Sequence, residues 1–328
     1  MGFWSGKNVV VTGGGGFLGS HVVEALHQGR CRNVLVARRR DYDLTTEAAA
    51  ERLFSDARAA GEIDVVFHLA GLVGGIGANK ARPADFFYQN LMMGVLTMHH
   101  AWKAGARKFV AAGAGCGYPE AAPLPLAETS FWNGFPQKES APYSLAKRML
   151  HVQSLAYASQ HGFSSVIGIP GNIYGPYDNF DLEDAHVVPA LVRKFVEAVE
   201  DRTERVVVWG SGKPTRDFVY AADVAEGLLR AAEVYGPEPQ LVNLSSSRET
   251  SIREVVETLT RISGFRGEVV WDQSRPDGQA RRGFDVSKAR RELDWQARTG
   301  LEDGLRRTFD WYRANRQGAR NRVACASS

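Results

Sequence analysis

The first half of the chain alternates between two hydrophobic periods. A β-branched run at residues 7–12 ends at glycines, and residues 21–27 continue with apolar side chains at helical spacing, which predicts a strand, a tight turn and a helix. The alternation then repeats, and alternating β and α elements imply an α/β fold with a doubly wound parallel sheet covered on both faces. Further strands are predicted at Asn33–Ala37, 65–69, Lys108–Ala112 and 165–169, and further helices at 45–60, 86–104 and 144–161.

The second half has a less regular pattern. After Gly175 the chain continues with a loop rich in Pro, Asp and Asn. We therefore expect residues 1–172 to form mainly a Rossmann-type nucleotide-binding domain, and residues 173–328 to form mainly a smaller C-terminal substrate-binding lobe, with some chain returning to the first domain. Regular elements of this half are predicted at 189–200 (helix), Arg205–Trp209 (strand) and 268–271 (strand).

The first turn carries glycines in the arrangement of a dinucleotide-binding site. In such a turn one glycine permits the tight bend, a second lets the pyrophosphate approach the backbone, and a third lets the helix pack on the strand. Gly13, Gly16 and Gly19 fit these three roles. The strand before and the helix after supply the required context, so we expect the cofactor to contact this turn, including Phe17 and Leu18 at the helix start.

The sequence leaves the choice of cofactor open. A carboxylate after the second strand favours NAD, whereas an arginine there can accommodate the 2′-phosphate of NADP. Arg38 and two further arginines follow that strand and precede Asp41, which favours NADP, with NAD and a merely solvated basic turn as alternatives. Leu69 and Ala70, at the end of a later strand, are expected to lie along the cofactor.

Composition and charge disfavour several classes of function. The 40 basic and 37 acidic side chains nearly balance at a net charge of +3, which argues against a nucleic-acid partner. No signal-like start and no run of 18 apolar residues occur, so secretion and a membrane partner are disfavoured. Three widely separated cysteines, Cys31, Cys116 and Cys325, show no metal-ligand spacing, so we expect no metal and a reducing cytoplasm.

Tyr143 and Lys147 carry the strongest chemical signal. Residues four apart share a helix face, so the Lys147 ammonium is expected beside the Tyr143 phenol, where it lowers the pKa of the phenol from about 10. A phenol tuned in this way can donate a proton near neutral pH. The spacing alone is common in helices, but together with the glycine turn it indicates nicotinamide redox chemistry.

With these two motifs the chain resembles the extended short-chain dehydrogenases/reductases over nearly its whole length, and a series of segments resembles GDP-L-fucose synthases. The resemblance implies an NADPH-dependent enzyme that epimerises C3 and C5 of GDP-4-keto-6-deoxy-mannose and then reduces its C4 ketone. A C4 ketone acidifies the protons on C3 and C5, so one acid/base pair can invert both carbons. The segments are residues 73–79, 83–86, 89–92, 172–176, 178–180, 186–191, 208–212 and 216–218.

The same resemblance implies roles for particular residues. Cys116 and His186 match the acid/base pair, and unperturbed pKa values near 8.5 and 6.5 suit that task; a buried thiol and a satisfied loop histidine are the alternatives. Members usually pair through two long helices each, so we expect a homodimer through residues 86–104 and 144–161. Arginines suit a diphosphate because their planar donor fork pairs with two phosphate oxygens. Positions near the nucleotide-sugar are Asn172, Arg193 or Lys194, Trp209, Arg216 and Arg282.

One position departs from the family pattern. Ala114 stands where the family normally places a hydroxyl-bearing residue, so one donor to the developing C4 oxyanion is missing, and such a donor is worth roughly 3–4 kcal/mol. Three explanations stay open: Tyr143 alone, or a backbone amide or water admitted by Gly115, suffices; the substrate binds differently; or the reaction has changed. The glycines of residues 113–117 are also expected to enlarge this corner, which suggests an altered sugar.

Two other functions remain as alternatives. A redox-neutral enzyme resembling GDP-mannose 3,5-epimerase would use the same residues with tightly held NAD⁺, and it would differ in consuming no reductant. A non-catalytic nucleotide-binding protein would keep the fold without turnover, although Tyr143 and Lys147 argue against it. A 4,6-dehydratase is disfavoured because no acidic pair accompanies Cys116.

Overall fold

The computed structural model of the protein describes residues 2–274 and 277–326, with side chains described through Arg316. Strands and helices alternate along the chain. The strands are β1 (Asn8–Thr12), β2 (Asn33–Ala37), β3 (Val65–His68), β4 (Lys108–Ala112), β5 (Ser164–Pro170), β6 (Asn172–Tyr174), β7 (Arg205–Trp209), β8 (Thr215–Tyr220), β9 (Gln240–Leu244), β10 (Glu249–Ser251) and β11 (Glu268–Asp272). The helices are α1 (Phe17–Gln28), α2 (Glu47–Ala59), α3 (Ile76–Ala81), α4 (Pro83–Lys103), α5 (Ala141–His161), α6 (Val187–Glu200), α7 (Ala221–Val234), α8 (Ile252–Ser263), α9 (Ser287–Leu293) and α10 (Leu301–Ala326), and 3₁₀ turns lie at Gly115–Gly117, Glu128–Ser130 and Lys138–Ser140.

Six strands form one parallel sheet in the order β2-β1-β3-β4-β5-β9, which confirms the predicted doubly wound class. Along β1, Val9 and Val11 face one hydrophobic core and Val10 faces another. The two cores cover both faces of the sheet, which is why β1 has a continuous apolar sequence. The strand order reverses at β1 and β3, and ligands of such sheets bind in the crevice at the carboxyl ends of the strands there.

The remaining strands form two small sheets that border this crevice. β6, β8 and β10 form one sheet, and β7 pairs with β11 in the other. A third hydrophobic core joins α6, α8 and α10 to these strands. The chain also returns to the main sheet through β9 and α7, and the boundary at residue 172 stays a prediction.

The helix that carries the Tyr-x-x-x-Lys motif begins earlier than expected. It starts at Ala141 rather than at residue 144, with Pro142 in its first turn. Proline is tolerated there because the first N–H groups of a helix have no partner within the helix. Tyr143 therefore lies on the helix itself, one turn before Lys147. In the part of the chain that the structure describes, no helix is long and apolar enough to cross a membrane.

Candidate active site

The turn between β1 and α1 is so closely packed on its inner side that glycine is required. Gly13 has φ +70°, and a Cβ there would lie 2.6 Å from the Ala70 nitrogen and 2.8 Å from the Leu69 carbonyl carbon. A Cβ on Gly19 would lie 2.1 Å from the Gly13 oxygen. Backbone atoms cannot yield as a flexible side chain can, so these glycines hold α1 and the end of β3 against the turn.

The outer side of the same turn is open. Gly15 and Gly16 are exposed, and Gly16 is the N-cap of α1 without a side-chain cap. Phe17 and Leu18 follow as the first helical residues, whose N–H groups favour a phosphate at this end. Arg38 is exposed, and its Nε lies 3.6 Å from where a Gly15 Cβ would be. This arrangement fits a dinucleotide, with the guanidinium near the expected 2′-phosphate.

Tyr143 and Lys147 lie on one face of α5, beside the end of β3. The Tyr143 ring packs edge to face on Phe86, with 6.2 Å between ring centroids. Lys147 is only 6% exposed, and its Nζ lies 3.6 Å from where a Gly71 Cβ would be. Within the described residues this ammonium makes no hydrogen bond or ion pair. A buried cation without acceptors is costly, and the ribose hydroxyls of a dinucleotide would supply them.

The expectation that Lys147 lowers the pKa of Tyr143 is wrong for this structure. Burial raises the pKa of the phenol well above its usual value, and the charge of Cys116 adds to the increase. Burial also lowers the pKa of Lys147 to about 8, although Cys116 acts in the opposite direction. Desolvation is the largest cause for both groups, because burial disfavours the ionised form of each. Tyr143 is therefore protonated at neutral pH, as a proton donor must be.

Cys116 lies between these two residues and an arginine from the second half of the chain. It is partly exposed in the Gly115–Gly117 turn that follows β4. Its charge interacts with Tyr143, Lys147 and Arg282. Nη2 of Arg282 donates to the Gly115 carbonyl at 3.0 Å. Burial lowers the pKa of Arg282 and the nearby Cys116 raises it, so the thiol lies in an electropositive cluster.

The prediction that the glycines around Cys116 enlarge the site is wrong. A Cβ on Gly115 would lie 2.7 Å from the Phe284 ring, and one on Gly117 would lie 3.0 Å from the Phe131 ring. Aromatic rings thus fill the space that the missing side chains of Gly115 and Gly117 leave. Ala114 is itself buried, at 8% exposure.

His186 comes from the second half of the chain, at the start of α6. It is the N-cap of α6 and is exposed to solvent, while the protein atoms packed around its ring partly desolvate it and lower its pKa. Gly75 lies against the backbone of residues 184–185, and Gly74 lies against the Phe86 ring. This loop links the histidine segment to the ring that packs on the tyrosine. Within the described residues, His186 makes no hydrogen bond to the cysteine or the tyrosine.

Two adjacent arginines form the cationic side of the site. Nη1 of Arg216 donates to the carbonyls of Thr215 and Gln279 at 2.7 and 2.6 Å. Burial lowers the pKa of Arg216, and the positive charge of Arg282 lowers it further. Neither guanidinium pairs with a carboxylate among the side chains described, so the pair fits a diphosphate. Asn172, half-buried on β6, lies on the strand that pairs with Arg216's strand, β8.

The structure separates the two cations that the sequence left as alternatives on α6. Lys194 Nζ lies 5.2 Å from the ring centroid of Trp209, which is 57% exposed at the end of β7. Arg193 instead donates to Glu197 at 3.0 Å and to the Phe180 carbonyl at 3.1 Å. Lys194 therefore contacts the exposed ring of Trp209, whereas Arg193 connects the loop at Phe180 to α6.

Sequence reasoning missed two buried polar residues beside the site. Asn90 on α4 accepts from the Leu72 amide at 3.1 Å and donates to the Leu72 carbonyl at 3.0 Å, which fixes the loop next to Lys147. Arg148 follows Lys147 and donates to the Gly117 carbonyl at 2.6 Å. The sequence feature that could have identified them is a polar residue on the apolar face of a predicted helix, α4 for Asn90 and α5 for Arg148.

The described residues offer no site for a metal. Among residues 2–274 and 277–316 no three His, Cys, Asp or Glu side chains are grouped so as to hold one. Cys31 and Cys116 are free thiols, and Cys325 lies outside the described side chains.

Known proteins are similar to this chain over most of its length. The model of the NAD dependent epimerase/dehydratase family matches residues 9–245. GDP-L-fucose synthase 1 of Arabidopsis thaliana is 36% identical over 307 residues, which cover 94% of this chain and 93% of that protein. The crystal structure of a GDP-L-fucose synthetase from Naegleria fowleri bound to NADP has a TM-score of 0.86 at 29% identity, covering 98% of each chain. A GDP-6-OMe-4-keto-L-xylo-heptose reductase from C. jejuni has a TM-score of 0.86 at 26% identity, covering 96% of this chain and 100% of that one.

Proposed function

The chain belongs to the NAD-dependent epimerase/dehydratase family, and from this premise we propose that it converts GDP-4-keto-6-deoxy-mannose to GDP-L-fucose, by inverting C3 and C5 and reducing the C4 ketone. The observation that carries the proposal is the cluster of Tyr143, Lys147, Cys116 and Arg282 at the carboxyl edge of the parallel sheet. The names of the Arabidopsis and Naegleria proteins support the same activity.

Tyr143 and Lys147 serve the reduction. When bound, NADPH would supply the hydride that C4 receives. The Tyr143 phenol, which burial keeps protonated, donates its proton to the C4 oxygen as negative charge develops there. The ammonium of Lys147, which has no acceptor among the described residues, would hold the ribose hydroxyls of the bound cofactor.

Cys116 and His186 serve the two inversions. At C3 and at C5, one group removes a proton from one face of the sugar and the other returns a proton to the opposite face, so neither inversion consumes a reductant. Desolvation lowers the pKa of His186 and keeps the ring neutral at pH 7, which is the form that accepts a proton. The C4 ketone stabilises each carbanion as an enolate.

The cationic side of the cleft binds the nucleotide-sugar. Arg216 and Arg282 hold the diphosphate, since both guanidiniums lack a carboxylate partner among the described side chains. Lys194 and Trp209 extend this surface toward the nucleoside, with the lysine over the aromatic ring. NADP is the favoured cofactor because Arg38 flanks the glycine turn. We propose a cytoplasmic location, in keeping with the free thiols Cys31 and Cys116.

Incubation with GDP-4-keto-6-deoxy-mannose and NADPH in heavy water tests the proposal. NADPH loss is followed by absorbance, and deuterium at C3 and C5 is followed by mass spectrometry. NADPH loss with deuterium at both carbons is expected. Deuterium without NADPH loss would instead support the redox-neutral epimerase, which GDP-mannose with NAD⁺ then tests. NADPH loss without deuterium would indicate a 4-keto reductase, as in the name of the C. jejuni relative.

We expect α4 and α5 to bind the same two helices of a second copy of the chain. These helices pack on each other, and both expose apolar side chains on their outer faces. A dimer would bury them in a four-helix interface. We expect V152E with L155E to yield a monomer in light scattering, whereas V199E on α6 leaves the mass unchanged. The exposed apolar residues are Phe87, Tyr88, Val95, Val152 and Leu155.

A further inference from the structure

Arg148 is buried on α5, directly after Lys147, at 3% exposure. Its Nε donates to the Gly117 carbonyl at 2.6 Å, and its Nη1 donates to the Gly134 carbonyl at 3.0 Å. The guanidinium lies 5.2 Å from the Phe131 ring centroid. Arg148 thereby connects the helix of the Tyr-x-x-x-Lys motif to the turn that contains Cys116.

Burying the charged guanidinium of Arg148 at this position costs desolvation free energy. Within the described residues the guanidinium of Arg148 has no carboxylate partner, its Nη2 has no hydrogen bond, and burial lowers its pKa. Packing alone does not require a charge here, because replacing a buried ionic group by a well-packed hydrophobic residue is often neutral or stabilising. The two hydrogen bonds to carbonyls are what an apolar side chain could not reproduce.

The Cys116 turn depends on hydrogen bonds from outside the turn to fix its conformation. Glycine on both sides of Cys116 gives this short segment little conformational preference of its own. Its flanking carbonyls are held by two guanidiniums: Arg282 binds Gly115 at 3.0 Å, and Arg148 binds Gly117 at 2.6 Å. Arg282 also interacts with the charge of Cys116, whereas Arg148 touches only the backbone of the turn.

We propose that Arg148 is a positioning residue, which sets the Cys116 thiol relative to Tyr143 by fixing the Gly117 carbonyl to α5. The inference rests on the proposed function, because Cys116 needs a defined position only if it moves protons at C3 or C5. Arg148 itself touches neither the substrate nor the cofactor. A misplacement of about 1 Å at a reacting group can cost about 100-fold in rate, so removing this hold slows proton transfer.

The decisive measurement is deuterium incorporation at C3 and C5 of the 4-keto sugar in heavy water without NADPH, which isolates proton transfer from reduction. In R148M the rate is expected to fall at least about tenfold, with the NADPH dissociation constant within about twofold of wild type. R148K, whose ammonium can reach one carbonyl, is expected to recover part of the rate. R230M is the control for loss of an arginine–carbonyl bond away from the site, because the exposed Arg230 donates to the Leu293 carbonyl at 3.0 Å between α7 and α9 and also pairs with Glu233.

Several outcomes would overturn the inference. One is a folded R148M with wild-type deuterium incorporation, and another is a loss of NADPH binding as large as the loss of rate, which would mark a general structural role. If R148M does not fold, the deuterium incorporation and NADPH binding of R148K are compared with those of the wild type instead. A wild-type rate of deuterium incorporation in R148K, in a protein whose Cys116 turn has become more mobile, would overturn the inference equally.

Amide hydrogen exchange tests the inference without any substrate. The peptide with residues 115–118 is expected to exchange about tenfold faster in R148K or R148M, while the peptide with Gly19 is unchanged. If the wild type does not act on this sugar, the proposed function fails, yet this exchange measurement still decides whether Arg148 holds the turn. Unchanged exchange would contradict that role whatever the substrate.

Discussion

Two glycine-rich turns border the site, and they use glycine for different purposes. In the turn after β1, Gly13 and Gly19 bring backbone against backbone, and the outer side around Gly15 is open for a ligand. In the turn after β4, aromatic rings occupy the positions where Cβ atoms of Gly115 and Gly117 would lie. The first turn forms an open site, and the second forms a packed support for Cys116.

The difference shows that glycine allows close approach without specifying what approaches. After β1 the approaching group is the chain itself, since the end of β3 reaches the turn through Ala70. After β4 it is Phe284, which lies far along the chain from Gly115. The variants G19A, K147M, G115A and R38S distinguish the two turns, and their expected effects decrease in that order.

The largest effect is expected from G19A. A Cβ would lie 2.1 Å from the Gly13 oxygen, so the backbone of the turn must move. We expect a loss of at least about 3 kcal/mol in the free energy of unfolding, together with loss of NADPH binding. Urea denaturation and NADPH fluorescence check this. G15A is the control for stability, because its Cβ would meet only Arg38 at 3.6 Å; an equal loss of unfolding free energy in both variants would refute the packing argument.

Lys147, which lies between the two turns, is expected to give the next largest effect. Burial lowers its pKa from 10.5 to about 8, so between these pH values the unfolded chain binds more protons than the folded one. Stability therefore rises with pH through this window relative to K147M, by up to about 3 kcal/mol. Urea denaturation between pH 7.5 and 10.5 measures the difference. Parallel curves for the two proteins would mean that the ammonium is not desolvated.

G115A is expected to destabilise the second turn less severely. Its Cβ would lie 2.7 Å from a Phe284 ring carbon, and a ring can shift where backbone cannot. We expect a loss of about 1–2 kcal/mol, part of which F284L restores in the double variant. A double-mutant cycle of unfolding free energies measures the coupling. Additive effects would show that the ring does not fill the space beside Gly115, and that the corner is open after all.

The smallest effect is expected at the open side of the first turn. R38S removes the guanidinium that flanks Gly15, so NADPH affinity is expected to fall about tenfold while NADH affinity is unchanged. Fluorescence titration with both cofactors measures this. R39S, at an exposed neighbouring position, serves as the control. An equal change for NADPH and NADH would remove the argument for a 2′-phosphate contact at Arg38.

Local patterns were enough to predict the strands of the main sheet and the long helices in the first half of the chain, whereas the short helix α3 (Ile76–Ala81) was not predicted. The glycine turn after β1 could be located because its spacing, the strand before it and the helix after it all lie within residues 7–28. The joint position of Tyr143 and Lys147 followed from helical periodicity. The boundaries shifted by a few residues where a local rule was overlooked, as with Pro142 in the first turn of α5.

Neighbouring residues with similar chemistry could not be told apart in this way. Arg193 and Lys194 lie about 100° apart around α6, so one reaches Trp209 and the other reaches Glu197. Which of them faces the exposed ring depends on how α6 packs against β7. Arg148 was overlooked for the same reason, since its partners Gly117 and Gly134 come from separate loops.

By itself, the sequence determined the α/β class, the glycine turn after β1 and the placement of Tyr143 and Lys147 one helical turn apart, because periodicity and glycine conformation act over a few residues. Only the tertiary structure decided the electrostatics and the shape of the site. Burial by distant segments raises the pKa of Tyr143 despite its lysine neighbour, and Phe284 closes the space beside Gly115. Desolvation and packing depend on every group that surrounds a residue, and most of those groups are remote in the chain.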